Sequence, residues 1–252
     1  MLAIYRRELM AYFNSTLAWV LMGGYLLILG ILYYAMVGWF AEASQTAGMN
    51  PFGARNMNVM EELVAPLMWW MGFLMLGILP LLTMRLFAEE RRSGTLEMLF
   101  TYPLSEAQII GGKFLAAMSV VGLLLAFTLG EMVMLSRLTS LEWPVVGSGY
   151  LGLLLVGAAF VSFGLWASSL TPSQMIAAVV SYGGLMVAWL VSAVEDKMPA
   201  VKDRLGEVSI LEHLDSLARG QLSTHDLVYY VAWVALFLFL TARVLESRKW
   251  SR

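Results

Sequence analysis

Five stretches of the sequence run for 16 residues or more without an Asp, Glu, Lys or Arg. They are Leu9–Ala41 (33 residues), Leu63–Met84 (22), Phe114–Gly130 (17), Trp143–Val194 (52) and Leu227–Ala242 (16). Runs of this kind suit hydrocarbon: no water is present there to satisfy the backbone, so a spanning segment closes its own hydrogen bonds as a helix. Crossing ~30 Å of hydrocarbon takes ~20 helical residues. Composition agrees. The chain is 60% hydrophobic and 13% charged, against about 45–50% and about 25% in a soluble domain, and a sphere of this size has no interior for such an excess. A water-soluble domain is excluded.

The longest run holds two spans, because Ser168-Ser169-Leu170-Thr171-Pro172-Ser173 supplies a polar, proline-containing break. The fold class expected is all-α: a polytopic membrane protein with six transmembrane helices over roughly 17–39, 63–84, 113–135, 147–169, 174–194 and 226–245. In the last span Tyr229, Tyr230 and Trp233 occupy the place of an interfacial aromatic belt. A cleavable signal peptide fits the N-terminus poorly, since the first apolar run far exceeds a 7–15-residue core. The N-terminus, the 85–113 loop, the 168–173 turn and the C-terminal tail together carry ten basic residues against six acidic ones, and the opposite side carries six against twelve. The positive-inside rule then puts both termini in the cytoplasm.

Several chemistries lack the residues they need. The chain has no cysteine and two histidines, His213 and His225, so disulfides, thiolate metal sites and cysteine nucleophiles are excluded. The histidines lie without clear ligand spacing and read as solvated loop residues; no metal site is expected. Met49, Met57, Met60, Met68, Met71 and Met75 offer soft thioether ligands for Cu(I), or serve as packing. A net charge of −2 gives no footing for nucleic acid. Away from the ends of the spans Glu131 is the one candidate for an intramembrane coupling group, and it is placed to reach the outer interface. The spans otherwise show Gly, Ala, Ser and bulky apolar groups, with no charged or aromatic cage that would suggest a cargo.

Three segments outside the bilayer carry patterns. Residues 1–13 put Leu2, Tyr5, Leu9, Tyr12 and Phe13 on one helical face, with Arg6 and Arg7 opposite. This describes an interfacial helix on the cytoplasmic leaflet, or a plain positive anchor. In the acidic 195–226 loop, Ser209 and Glu212 fit a capping box, Leu211, Leu214, Leu217 and Ala218 follow helical spacing, and Gly220 can end the helix. This amphipathic helix is expected to face the outer leaflet or the outer mouth of the bundle. In the 85–113 loop Gly94 is placed to end the extension of the second span, and Thr95 to cap a short helix through Phe100. Ser105 then caps the third span with Gln108 in the reciprocal position. Leu96, Leu99 and Phe100 would project below the membrane, covered by a partner or by headgroups.

The run Glu90-Arg-Arg-Ser-Gly94-Thr95-Leu96-Glu97-x-Leu99-x-x-x-Pro103-Leu-Ser105, followed by Gly112-Lys113, resembles the signature of ABC-2-type permeases. These are the membrane subunits of exporter-like ABC transporters. The segments Tyr5-Arg6-Arg7-Glu8-Leu9 and Val244-Leu245-Glu246-Ser247-Arg248 are similar to the gliding-motility permeases of the GldF type, and more distantly to NosY-type permeases. The resemblance spans the whole chain as one permease domain, 1–252.

It implies that the chain is not an enzyme and holds no cofactor, ATP being bound by a separate ABC ATPase. The sequence agrees: at Gly111-Gly112-Lys113 the earlier glycine of a P-loop is missing and Phe114 replaces its Ser/Thr. By the same resemblance the coupling loop comprises Glu90, Gly94, Thr95, Leu96, Glu97, Leu99, Phe100, Pro103 and Ser105. Glu90 would orient the helix, Gly94 make the turn, Thr95 cap and Glu97 contact the ATPase, with Arg6 and Arg7 as secondary contacts. Further partners implied are a second permease copy or paralogue, membrane lipid and an extracytoplasmic auxiliary protein. The location implied is the cytoplasmic membrane of a prokaryote. Three functions follow: ATP-driven transport; mechanical transmission to an extracytoplasmic partner without translocation; and, disfavoured by the uncharged spans, secondary transport.

Overall fold

The computed structural model describes residues 1–49, 58–95, 105–195 and 209–249. Among the described residues all regular structure is helical. A short helix α1 (Leu2–Phe13) leads through Asn14-Ser15 into the long α2 (Thr16–Met49). One π-helical turn, Met60–Val64, opens α3 (Ala65–Thr83), and α4 (Arg85–Arg92) continues it past Met84. Then come α5 (Glu106–Leu135), α6 (Trp143–Leu170), α7 (Gln174–Glu195), the short α8 (Ile210–Ala218) and α9 (Thr224–Lys249).

Five of the six expected spans fall each within one helix, and the second, 63–84, runs from the π-helical turn through α3 to Met84. Five apolar segments are long enough to cross a membrane: Thr16–Thr46, Met60–Arg92, Glu106–Leu135, Trp143–Leu170 and Thr224–Ser247. The sixth apolar stretch, Gln174–Leu190, is shorter. Helix α6 is the axis of the bundle, touching α3, α4, α5, α7, α8 and α9. Its glycines admit neighbours closely: a Cβ on Gly164 would lie 2.1 Å from Thr83 Oγ1, and one on Gly157 2.7 Å from Val121. Small residues are a principal means of joining helices in lipid, where hydrophobic association is lost. At the periphery stand α2 and α9, whose apolar windows are 17% and 11% buried against 72% for α6.

The methionines pack. Met68, Met71 and Met75 are fully buried among the helices and Met60 nearly so, which is the filler role. Met57 lies outside the described residues, and of Met49 only the backbone is described. Helix α8 turns Leu214 and Leu217 into the bundle, against Gly72 and Gly152. Gly220, at φ +82°, ends it with Gln221 N–H donating to Ser216 O and Gly220 N–H to Leu217 O. This is the Schellman pattern that the glycine signalled. The Glu212 side chain of the expected capping box is not among those described.

Candidate functional site: an ion-linked joint between α1, α4 and α5

Helix α3 passes into α4 through Met84, whose dihedrals stay helical (φ −53°, ψ −31°). Pro80 interrupts the helical ladder of α3. One turn on, the Ser168 hydroxyl of α6 accepts from Phe87 N–H (2.9 Å) and Ala88 N–H (3.1 Å) and donates to Met84 O (3.0 Å). A side chain set into the ladder at this point takes up two amides at the start of α4 and ties it to α6. Arg91 adds a bond from its guanidinium to Ser169 O (3.0 Å). The polar Ser168-Ser169 break therefore does more than separate two spans. It fixes the direction of α4.

Helix α1 docks on α5 rather than lying on lipid alone. Ile4, outside the expected apolar stripe, is buried over Gly112, where an added Cβ would stand 3.0 Å from it, and Met1 covers Gly111. Leu2, inside the expected stripe, is 80% exposed, and Phe13 is exposed too. Tyr5 and Ser119 share a hydroxyl hydrogen bond (2.9 Å), Tyr12 donates to Leu82 O (3.2 Å), and Arg85 donates to Ala11 O (3.2 Å) while stacking over the Tyr12 ring (4.7 Å).

At the centre of the joint sits Lys113, only 1% exposed. Its ammonium contacts Glu8 Oε1 of α1 (3.0 Å), Glu90 Oε1 of α4 (3.0 Å) and Leu86 O (2.6 Å). Two of its three donors make hydrogen bonds, to Glu8 and to Leu86 O, and Glu90 adds an ion pair. Arg7 closes the ring, bonding to Glu8 (2.6 Å) and to Glu90. Two cations and two carboxylates balance, and Glu8 and Glu90 are 12% and 14% exposed. Burial by itself would raise the Glu8 carboxyl, but Lys113 and Arg7 outweigh it and hold Glu8 below the ordinary carboxylate range. Burial likewise opposes protonated Arg7, and Glu8 with Glu90 more than offsets that, keeping the guanidinium charged. Glu90 Oε2 is buried with no hydrogen-bond partner among the described residues.

Of the residues singled out from sequence, Glu90 belongs to this joint, and so does Arg7, which is engaged within the chain rather than free for an outside contact. Arg6 is exposed, with no ion pair among the described residues. Gly94 ends α4 at φ +71°, in the left-handed region that a side chain disfavours. Thr95 turns back onto Ser93 Oγ (2.8 Å) and Glu90 O (3.4 Å). Ser105 caps α5 in a complete capping box with Gln108. Leu96, Glu97, Leu99, Phe100 and Pro103 lie outside the described residues. From sequence, Lys113 and Glu8 counted as topology charges and as positions of the family resemblance, and Gly111-Gly112-Lys113 also read as a failed P-loop; their contact with one another was not foreseen. The two glycines are the seat of α1, and the lysine is its anchor.

Three expectations are corrected at the other end of the bundle. His213 is buried, with Nδ1 2.6 Å from Asp226 Oδ1, so it is no solvated loop histidine. Tyr230 is fully buried, donating to Ile210 O (2.9 Å), and Tyr229 stacks on His213 at 4.1 Å; both join α8 to α9 instead of forming a lipid belt. Trp69, Trp70, Phe73 and Trp189 form an aromatic cluster. Beside it a cavity of about 230 Å³ is lined by Glu61, Trp69, Trp70, Asp215 and Arg219 among others, so a partly charged aromatic pocket does exist. Glu131, four residues from the far end of α5, is half buried over Gly30 of α2, with Oε2 shut away and unpartnered among the described residues.

The probable multidrug ABC transporter permease YbhR of Escherichia coli K12 is 29% identical over 160 residues, covering 61% of this chain and 42% of the relative. The same protein of Escherichia coli O157:H7 matches equally. The chain thus spans about two fifths of the length of these curated relatives. The family described as ABC-2 family transporter protein matches residues 2–250. With nearly every residue inside that match, the chain belongs to the ABC-2 family of transporter proteins.

Proposed function

We propose that this chain is the membrane permease of an ATP-driven exporter, with the α1–α4–α5 joint carrying movement from a separate ABC ATPase into the bundle. The observation that carries the reading is the buried Lys113, which ties the N-terminal helix and the root of the family's loop motif to the start of one long span. A loop that only joined two spans would not need three charged side chains largely desolvated at its base, because burying charge is costly unless each is paired.

In this reading α7 is the sixth span and both termini are cytoplasmic. The segment from Leu96 to Pro103 seats on the ATPase, which alone binds ATP, and the permease contributes no catalytic residue. A second copy or paralogue completes the pathway, and α2 and α9 meet lipid or that partner. The location is the cytoplasmic membrane of a prokaryote. The name of the relatives supports export of cargo, and no observation favours mechanical transmission, a gliding role or an auxiliary extracytoplasmic protein.

Co-purification tests the reading. Wild-type permease should retain its ATPase through purification, and Glu97→Lys with Leu99→Asp should lose it while still inserting into the membrane. Undiminished recovery with the double variant would refute the assignment of the loop.

A further inference from the structure

Away from the joint, at the turn linking α8 to α9, lies a polar cluster that the transmission of movement does not use. His213 projects from α8 with its side chain 4% exposed. Asp226, in the first turn of α9, places Oδ1 2.6 Å from His213 Nδ1, and its Oδ2 accepts from Ser216 Oγ at 2.9 Å. A carboxylate at that distance engages Nδ1, so Nε2 is the ring nitrogen that another partner would meet. Nε2 is buried and has no hydrogen-bond partner among the described residues. The exposed ring of His225 lies beside the His213 ring, centroids 5.2 Å apart, and one ligand atom from each of His213, His225 and Asp226 lies within 4.8 Å of the other two.

From this geometry we infer that His213 and His225 bind a divalent transition-metal ion of the zinc class. Asp226 is the positioning residue. The 2.6 Å contact is a hydrogen bond, shorter than the ~3.3 Å that separates two ligands each ~2.0–2.1 Å from one tetrahedral ion. Oδ1 therefore orients His213 and raises the basicity of Nε2, the usual arrangement behind a metal-bound imidazole. Tyr229, stacked on His213 at 4.1 Å, holds the ring plane. Imidazole ligands select zinc, copper(II) or nickel over magnesium and calcium, which take oxygen. Copper(I) is disfavoured because the thioethers of Met68, Met71 and Met75 are enclosed between helices. Water completes the coordination, so the ion exchanges readily, and its effect is to clip α8 to α9 across the Arg219–Ser223 turn.

The test uses the full chain in lipid nanodiscs, purified without a histidine tag and stripped with chelator. Zinc is titrated calorimetrically, and cobalt(II) absorption reports the ligand field. Wild type should bind one zinc per chain, unaffected by excess magnesium. His225→Ala, at an exposed position, should weaken binding at least about tenfold, and Asp226→Asn by about 10–100-fold, as loss of an orienting carboxylate does. Tryptophan fluorescence confirms that each variant is folded. Absence of saturable zinc binding to wild type would overturn the inference, as would unchanged affinity in folded His225→Ala.

Discussion

Replacing Lys113 by Met keeps the length and packing of the side-chain stem and removes one charge. What remains is Glu8 and Glu90, both largely buried, with only Arg7, half exposed, to balance them. The Leu86 carbonyl also loses its 2.6 Å donor. Removing one partner of a buried ion pair costs about 3–5 kcal/mol, because the uncompensated charge stays behind. The assay is reversible unfolding in mixed micelles. Arg243→Met is the control, since its pair with Glu246 is 61% and 46% exposed and should be worth less than about 1 kcal/mol. Adding Glu8→Gln to Lys113→Met removes the stranded charge and should return part of the loss, a coupling of about 0.5–3 kcal/mol. If Lys113→Met costs no more than Arg243→Met, or the double variant is strictly additive, the cluster is not a joint.

Ser168→Ala removes the acceptor of two α4 amides and the donor to Met84 O; it should cost about 0.5–2 kcal/mol in the same unfolding assay and weaken ATP-dependent function. Gly164→Val should be worse tolerated than Gly38→Val, because a Cβ at 164 would meet Thr83 Oγ1 at 2.1 Å while Gly38 has open space; overpacking costs about 1–3 kcal/mol, and adding Thr83→Ala should relieve part of it. Glu8, ordinarily near 4.5, is held lower in the folded protein, so its contribution is present above about pH 4.5 and is lost as pH falls through the lowered value. Wild-type stability should therefore drop more steeply on acidification than that of Glu8→Gln, as pH-dependent melting would show.

Most of the helices were legible because charge is excluded from hydrocarbon, and a gap between charges marks a span whatever packs on it. Gly94, Gly220 and the Ser105–Gln108 box were legible for a local reason: each acts on backbone within a few residues. The joint was not. Lys113 meets Glu8 across 105 residues of sequence, and nothing in a periodic pattern says that a lysine beside two glycines is buried. The α1 stripe misled because it assumed one flat lipid surface. The real surface is a helix with a notch at Gly111 and Gly112, and Ile4 fills it. His213 was misread similarly, since its partner Asp226 lies across a turn with no ligand motif to announce it.

The central claim is that the joint carries ATPase movement through the bundle. With no native cysteine, a single environment-sensitive fluorophore can be placed at Leu138→Cys, a 73% exposed position just beyond the end of α5 farthest from Lys113. In the reconstituted complex with its ATPase, adding ATP should change this signal in the otherwise wild-type protein. In Lys113→Met the ATPase should still bind and hydrolyse ATP while the far-end signal is lost. A full-amplitude response in folded Lys113→Met would contradict the account.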